Sequence, residues 1–224
     1  MPTANKDIVL YWSGGKDSAM AFHEIATHER YRDYEITSLL TTLTSGYDRI
    51  TGHGVRRALL EMQAACLGLD VVLTYIPKKA TMAQYEDVME DALLKFMESG
   101  TKVAASGDVF VEKMRMATFK KVGMKGCFPL MMKSTRDHTL NLIDLGFRAY
   151  VICVDSNVLD ESFVGRILDR EFLEDLPFGV DPCGENGEYH TFVFDGPIFK
   201  KKVECRLGRI VFREGFYFRD VLPA

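Results

Sequence analysis

Tryptophan occurs once in this chain, proline seven times, and no two cysteines form a Cys-x-x-Cys pair. The five cysteines, Cys66, Cys127, Cys153, Cys183 and Cys205, are odd in number and widely spaced. That excludes the ligand spacing of a zinc finger and a dithiol redox motif, and it fits reduced thiols in cytosol. No apolar run approaches the roughly 18 residues of a membrane helix, and residues 1–7 carry no basic-then-apolar leader pattern. A soluble, cytoplasmic protein is expected. A basic excess is missing too: 28 Lys and Arg stand against 32 Asp and Glu, for a net charge of −4. A nucleic-acid surface needs clustered cations, so no nucleic-acid partner is expected. Lys78-Lys79, Lys120-Lys121 and Lys200-Lys201-Lys202 are short runs that read as solvated faces. Internal repeats, low-complexity segments and Ser/Pro-rich linkers are absent.

What is present is apolar content ample for one large domain or two modest ones in 224 residues. Strand-like runs at Ile8–Trp12, Ile36–Thr42, Val71–Ile76 and Val103–Ser106 alternate with helical patterns, which predicts an α/β parallel sheet with covering helices. Val55, Leu59, Met62 and Cys66 recur at helical spacing ahead of Gly68, a helix stop. Thr81 caps a longer helix through Ser99, with Tyr85, Val88, Met89, Ala92, Leu93 and Phe96 as its apolar stripe. From about Cys127 the texture changes. A helix is expected near Ser134–Leu145, a strand at Ala149–Val154, a short helix around Gly165–Leu173, then a glycine-rich loop. Val203–Phe212 and Phe216–Val221 flank Arg213-Glu214-Gly215, which reads as a hairpin turn. The expected division is 1–126 and 127–224, at a soft boundary near Gly126 with no linker.

The stretch Leu10-Tyr11-Trp12-Ser13-Gly14-Gly15-Lys16-Asp17-Ser18 carries the most chemistry. An apolar strand breaks into a turn that opens a helix. Gly14 and Gly15 let the backbone bend sharply and bring N–H groups to an anion at the positive end of the helix dipole. Lys16 adds a mobile cation, and Ser13 and Ser18 offer hydroxyls, so the turn is built to hold a phosphate chain. It is not a Walker loop, which would place glycine at Leu10 and Ser or Thr at Asp17. In an open α/β sheet ligands lie beyond the carboxyl ends of the strands. Ser13–Ser18, Thr44–Gly54 and Gly107–Arg115 all fall there.

Other residues invite two readings each. His53 shares a polar loop with Tyr47, Asp48 and Arg49, and either lines a substrate pocket or is an idle loop histidine. Arg56 and Arg57 begin a helix, where a cation is unfavourable unless an anion is near, so at least one is a candidate to face phosphate. Arg115 either meets substrate or pairs with Glu112 on a solvated helix. Asp181–Thr191 concentrates Asp181, Glu185, Glu188 and His190 around Gly184 and Gly187. Carboxylates beside a histidine can recognise an amine or ammonium, position a nucleophile or act as general base, and the alternative is a plain turn with solvated charges. Nothing adjacent to Cys183 would lower its pKa, so it reads as an inert thiol.

Ser13–Ser18 resembles the pyrophosphate loop of the N-type ATP pyrophosphatases, which split ATP into AMP and pyrophosphate. With Gly46-Tyr47-Asp48-Arg49-Ile50, His53-Gly54-Val55-Arg56-Arg57, Gly107-Asp108-Val109-Phe110, Phe128-Pro129-Leu130 and Gly179–Thr191, the chain is similar over nearly its whole length to the diphthine–ammonia ligase family. The resemblance implies a HUP-like doubly wound parallel sheet with a smaller C-terminal α+β substrate domain. It also implies an AMP-forming ligase: a substrate carboxylate attacks the α-phosphorus, pyrophosphate leaves, and ammonia displaces AMP to give an amide. On that model Ser13, Gly14, Gly15, Lys16, Asp17, Ser18 and Gly107 bind ATP, and Lys16 and Asp108 act in its cleavage. Glu185, Glu188 and His190 serve the acceptor, and Tyr47, Asp48, Arg49, His53, Arg56, Arg115 and Asn186 bind substrate. Mg²⁺ is expected on Asp17 and Asp108, because it favours a few oxygen ligands plus phosphate. The implied acceptor is the diphthine of elongation factor 2. However, Gly184-Glu185-Asn186-Gly187-Glu188-Tyr189-His190 has Asn and His where archaeal and eukaryotic members are more acidic, and Met131 stands where members often carry tryptophan. The variant looks like a bacterial branch with some other carboxylate acceptor. A tRNA-modifying enzyme of the same superfamily, a non-catalytic ATP sensor and self-association into a homo-oligomer stay open.

Overall fold

The computed structural model describes residues 6–110, 113–131 and 134–224. Along the chain run β1 (Lys6–Tyr11), α1 (Lys16–Thr27), β2 (Tyr34–Thr44), β3 (Arg49–Ile50), α2 (Arg57–Leu67), β4 (Asp70–Ile76), α3 (Met82–Glu98), β5 (Val103–Ala105) and α4 (Lys113–Lys121). There follow β6 (Lys125–Cys127), α5 (Thr135–Asp144), β7 (Arg148–Asp155), α6 (Arg170–Asp175), β8 (Tyr189–Asp195), β9 (Cys205–Arg213) and β10 (Phe216–Pro223). The chain divides into two compact units, one of residues 6–13, 17–51 and 69–131, the other of 14–16, 52–68 and 134–224. Gly126 sits inside β6, and the second unit takes in two early segments as well as the C-terminal half.

The first unit is the expected α/β layer. Its strands run β4-β2-β1-β5-β6, all parallel, with β3 added antiparallel at the end of β2. Ile8, Val9 and Leu10 are fully buried, the continuous apolar run that a strand covered on both faces requires. Met89, Leu93 and Phe96 of α3 pack with Val9, Leu40 and Ala104 of the sheet and with Phe119 and Val122. The start of α3 follows from its capping box: the Thr81 hydroxyl accepts from Gln84 N–H, and the Gln84 side chain accepts from Thr81 N–H at 2.9 Å. β2 is longer at both ends than Ile36–Thr42, and the loop after it folds back as β3, pairing Thr44 with Arg49.

The second unit holds an antiparallel sheet in the order β8-β7-β10-β9, with α2 packed on β10. The β9–β10 turn is Glu214-Gly215, both at positive φ as a type I′ hairpin demands. Gly68 closes α2 in the left-handed region. The short helix expected over Gly165–Leu173 starts only at Arg170. Ile167 is held by a bridge to Tyr150, and Asp169 caps the helix by accepting from Phe172 N–H at 2.8 Å. Among the described residues no helix is long and apolar enough to cross a membrane.

Candidate functional site

In the first unit the chain leaves β1 for β2 and β4 on one side and later adds β5 and β6 on the other. The carboxyl ends of β1 and β5 therefore flank the point where strand order reverses. Ser13, Asp17 and Ser18 follow β1, with the Ser13 and Ser18 hydroxyls 3.3 Å apart. Ser106, Gly107 and Asp108 follow β5. A Cβ on Gly107 would lie 2.6 Å from the Asp17 carbonyl oxygen, so glycine there serves the packing of two backbones. Asp108 Oδ2 accepts from the Ser106 hydroxyl at 2.9 Å and lies 2.5 Å from Arg115 Nε. The Arg115 guanidinium sits 4.8 Å from the Tyr11 ring centre, and burial drives the Tyr11 hydroxyl pKa well above its ordinary value. Arg115 thus pairs with Asp108; Glu112, its expected alternative, lies outside the described residues. Asp108, one of the two residues expected to hold Mg²⁺, thus has its Oδ2 engaged by Arg115 and the Ser106 hydroxyl. Tyr47 and Asp48 are exposed in the β2–β3 turn next to Arg49, with Lys78 Nζ 3.7 Å from the Tyr47 ring centre.

Gly14, Gly15 and Lys16 belong to the second unit, where they close the edge of β8. Val193 N–H donates to the Gly14 carbonyl at 2.9 Å. Gln63 Nε2 donates both to that carbonyl at 3.0 Å and to the Val193 carbonyl at 2.6 Å. Gly14 has φ +74°, and a Cβ there would lie 2.6 Å from Gln63 Oε1, so both conformation and space demand glycine. Lys16 N–H donates to the Thr191 hydroxyl at 3.0 Å. That amide is committed to the protein and not to an anion. The buried Lys16 ammonium lies 5.6 Å from the Tyr189 ring centre.

The acidic glycine loop of the same unit is organised by its own carboxylates. Glu188 Oε1 accepts from Asp181 N–H at 3.0 Å and Asn186 Nδ2 at 2.8 Å, while Oε2 accepts from Asn186 N–H at 2.9 Å. Burial opposes its ionisation, yet these hydrogen bonds hold its carboxyl below the ordinary glutamate pKa. Glu188, expected to serve the acceptor, thus holds its loop together through both carboxylate oxygens. Asp181 accepts from Cys183 N–H at 2.8 Å and from the Thr135 hydroxyl at 2.8 Å. Glu185 is half-buried and Asn186 exposed. The His53 and His190 rings meet with centres 4.5 Å apart, so the structure brings these two expected residues together. Arg56, a candidate to face phosphate, has a partner within the protein. It forks onto Asp220 of β10, Nε to Oδ1 at 3.1 Å and Nη2 to Oδ2 at 2.5 Å, while Arg57 pairs with Glu61 at 2.7 Å. Gln63, Tyr189, Thr191 and Asp220 were not singled out from the sequence. Tyr189 and Thr191 lie within the Asp181–Thr191 segment, while Gln63 is an amide among the apolar residues of α2.

Residues 5–126 match the family model described as the diphthamide synthase N-terminal domain, and residues 134–221 match that of the diphthamide synthase C-terminal domain. The human diphthine–ammonia ligase is 27% identical over 93% of this chain and 86% of its own length. The bovine diphthine–ammonia ligase is 28% identical with the same coverage. That of Schizosaccharomyces pombe is 32% identical over 38% of this chain and 14% of its own length.

Proposed function

We propose, because the chain belongs to the diphthamide synthase family, that it is an ATP-dependent, AMP-forming ligase of diphthamide synthesis that amidates a carboxylate acceptor with ammonia. The observation that carries this reading is that Ser13, Asp17 and Ser18 follow the carboxyl end of β1 beside Gly107 at the end of β5, in a chain whose two halves match that family. The turn holds the β- and γ-phosphates, and Lys16 neutralises charge as pyrophosphate departs. The acceptor carboxylate attacks the α-phosphorus to give an acyl adenylate and pyrophosphate. Ammonia then attacks the acyl carbon, AMP leaves with the bonding electrons, and a proton is lost to give the amide. Magnesium, supplied with the nucleotide, would neutralise phosphate charge.

Residues 1–126, the Gly14–Lys16 turn included, serve the nucleotide and 127–224 the acceptor. Glu185 and His190, backed by His53, face the acceptor and ammonia; Glu188 keeps their loop in shape. Diphthine is the acceptor from which testing starts, since it is what the relatives' names specify. The experiment is AMP and pyrophosphate release by the purified protein with MgATP, ammonium and diphthine-bearing elongation factor 2. Release that needs both carboxylate acceptor and ammonium is the expected result. Release stimulated only by tRNA, or ATP binding with no AMP under any acceptor, overturns it.

A further inference from the structure

We infer that Tyr189 is a positioning residue that links the phosphate lysine to the acidic loop, so that one side chain sets both the nucleotide cation and the acceptor wall. The inference rests on the ligase reading above and deepens it. Tyr189 is 1% exposed and opens β8. Its ring lies 5.6 Å from Lys16 Nζ, and Lys16 itself is 4% exposed. In so dry a place the negative face of an aromatic ring suits an ammonium that must also meet a phosphate, since the ring attracts the charge without neutralising it as a carboxylate would. The backbone of Lys16 is fixed two residues along the same strand, by the Thr191 hydroxyl at 3.0 Å. Lys16 is thus held at both ends by β8. The hydroxyl of Tyr189 donates in turn to the Pro182 carbonyl at 2.6 Å. Pro182 belongs to the loop that Glu188 staples through Asp181 and Asn186. Gly184 lies so close that a Cβ there would come within 2.9 Å of the Tyr189 ring. The ring faces the nucleotide cation and the hydroxyl faces the acceptor loop.

Two substitutions separate these ends. Tyr189→Phe keeps the ring and drops the hydroxyl; ATP affinity, read by equilibrium binding of a non-hydrolysable analogue, stays within about twofold, while the KM for the acceptor rises about fivefold. Tyr189→Leu drops both, and ATP affinity falls about tenfold as well. In a double-mutant cycle with Lys16→Met, the two losses of ATP affinity fail to add, as coupling between the side chains requires. A merely structural role would lower the melting temperature without splitting ATP from acceptor. If the leucine variant does not fold, the phenylalanine variant decides alone: equal change in both affinities, or in neither, overturns the inference. Additivity in the cycle overturns it too. The reading beneath it fails differently, by absence of acceptor-dependent AMP in the unmodified protein.

Discussion

Asp108 in the first unit and Glu188 in the second are both carboxylates beside glycines, yet they are neutralised in opposite ways. Asp108 meets a side-chain cation, Arg115, and a hydroxyl on the same oxygen, Oδ2. Glu188 meets backbone N–H groups and the Asn186 amide on both oxygens. A guanidinium on a long stem can swing to an incoming phosphate. Backbone donors cannot leave without unmaking the loop. The role of an acidic residue is set by what answers its charge, and under the proposed function the exchangeable partner falls on the nucleotide side and the fixed one on the acceptor side.

Lys16→Ala removes the cation on which the nucleotide side turns and lowers AMP formation at least about a hundredfold, measured as pyrophosphate release; retained AMP formation would refute the assignment. Asp108→Asn, whose partner is exchangeable, lowers AMP formation about tenfold while leaving the urea midpoint nearly unchanged. Glu188→Gln does the reverse. It turns an acceptor into a donor facing other donors, costs about 2 kcal/mol of stability by urea denaturation, and spares ATP affinity. The pH dependence has the same origin. With its native pKa depressed, Glu188 contributes full stability above its unfolded value of about 4.3 and loses that contribution as pH falls through the lower native value. Melting temperature should therefore drop more steeply below about pH 4 in the unmodified protein than in the Glu188→Gln variant. Gly14→Ala puts a side chain at φ +74° against Gln63 and costs about 1–2 kcal/mol, with a weakened KM for ATP. Arg56→Lys, which only unforks the bond to Asp220, costs about 1 kcal/mol and leaves the KM for ATP unchanged; a raised KM would return Arg56 to the phosphate site.

Local signals were legible wherever one segment contains its own physics. Thr81 ahead of an apolar stripe, Gly68 after an apolar helix, and Glu214-Gly215 between apolar runs each act within a few residues, and the structure has a helix start, a helix stop and a hairpin turn there. The helix at Arg170 was misplaced because Ile167 is recruited by Tyr150, a partner seventeen residues earlier and invisible to local pattern. The ion pair of Arg56 is invisible to local pattern for the same reason: Asp220 lies 164 positions away. Tyr189 and Thr191 stood in a motif but had no visible task until Lys16 was placed beside them.

By itself the order of residues determined the parallel strands, the caps and the glycine turn opening a helix, because hydrophobic period, φ preference and side-chain capping are properties of short stretches. Tertiary structure alone decided that Gly14 would close the edge of β8, that Gln63 would clamp it, and which cation would answer which carboxylate. Those outcomes depend on hydrogen bonds between groups far apart in sequence, and only the folded chain brings their atoms within 3 Å or so.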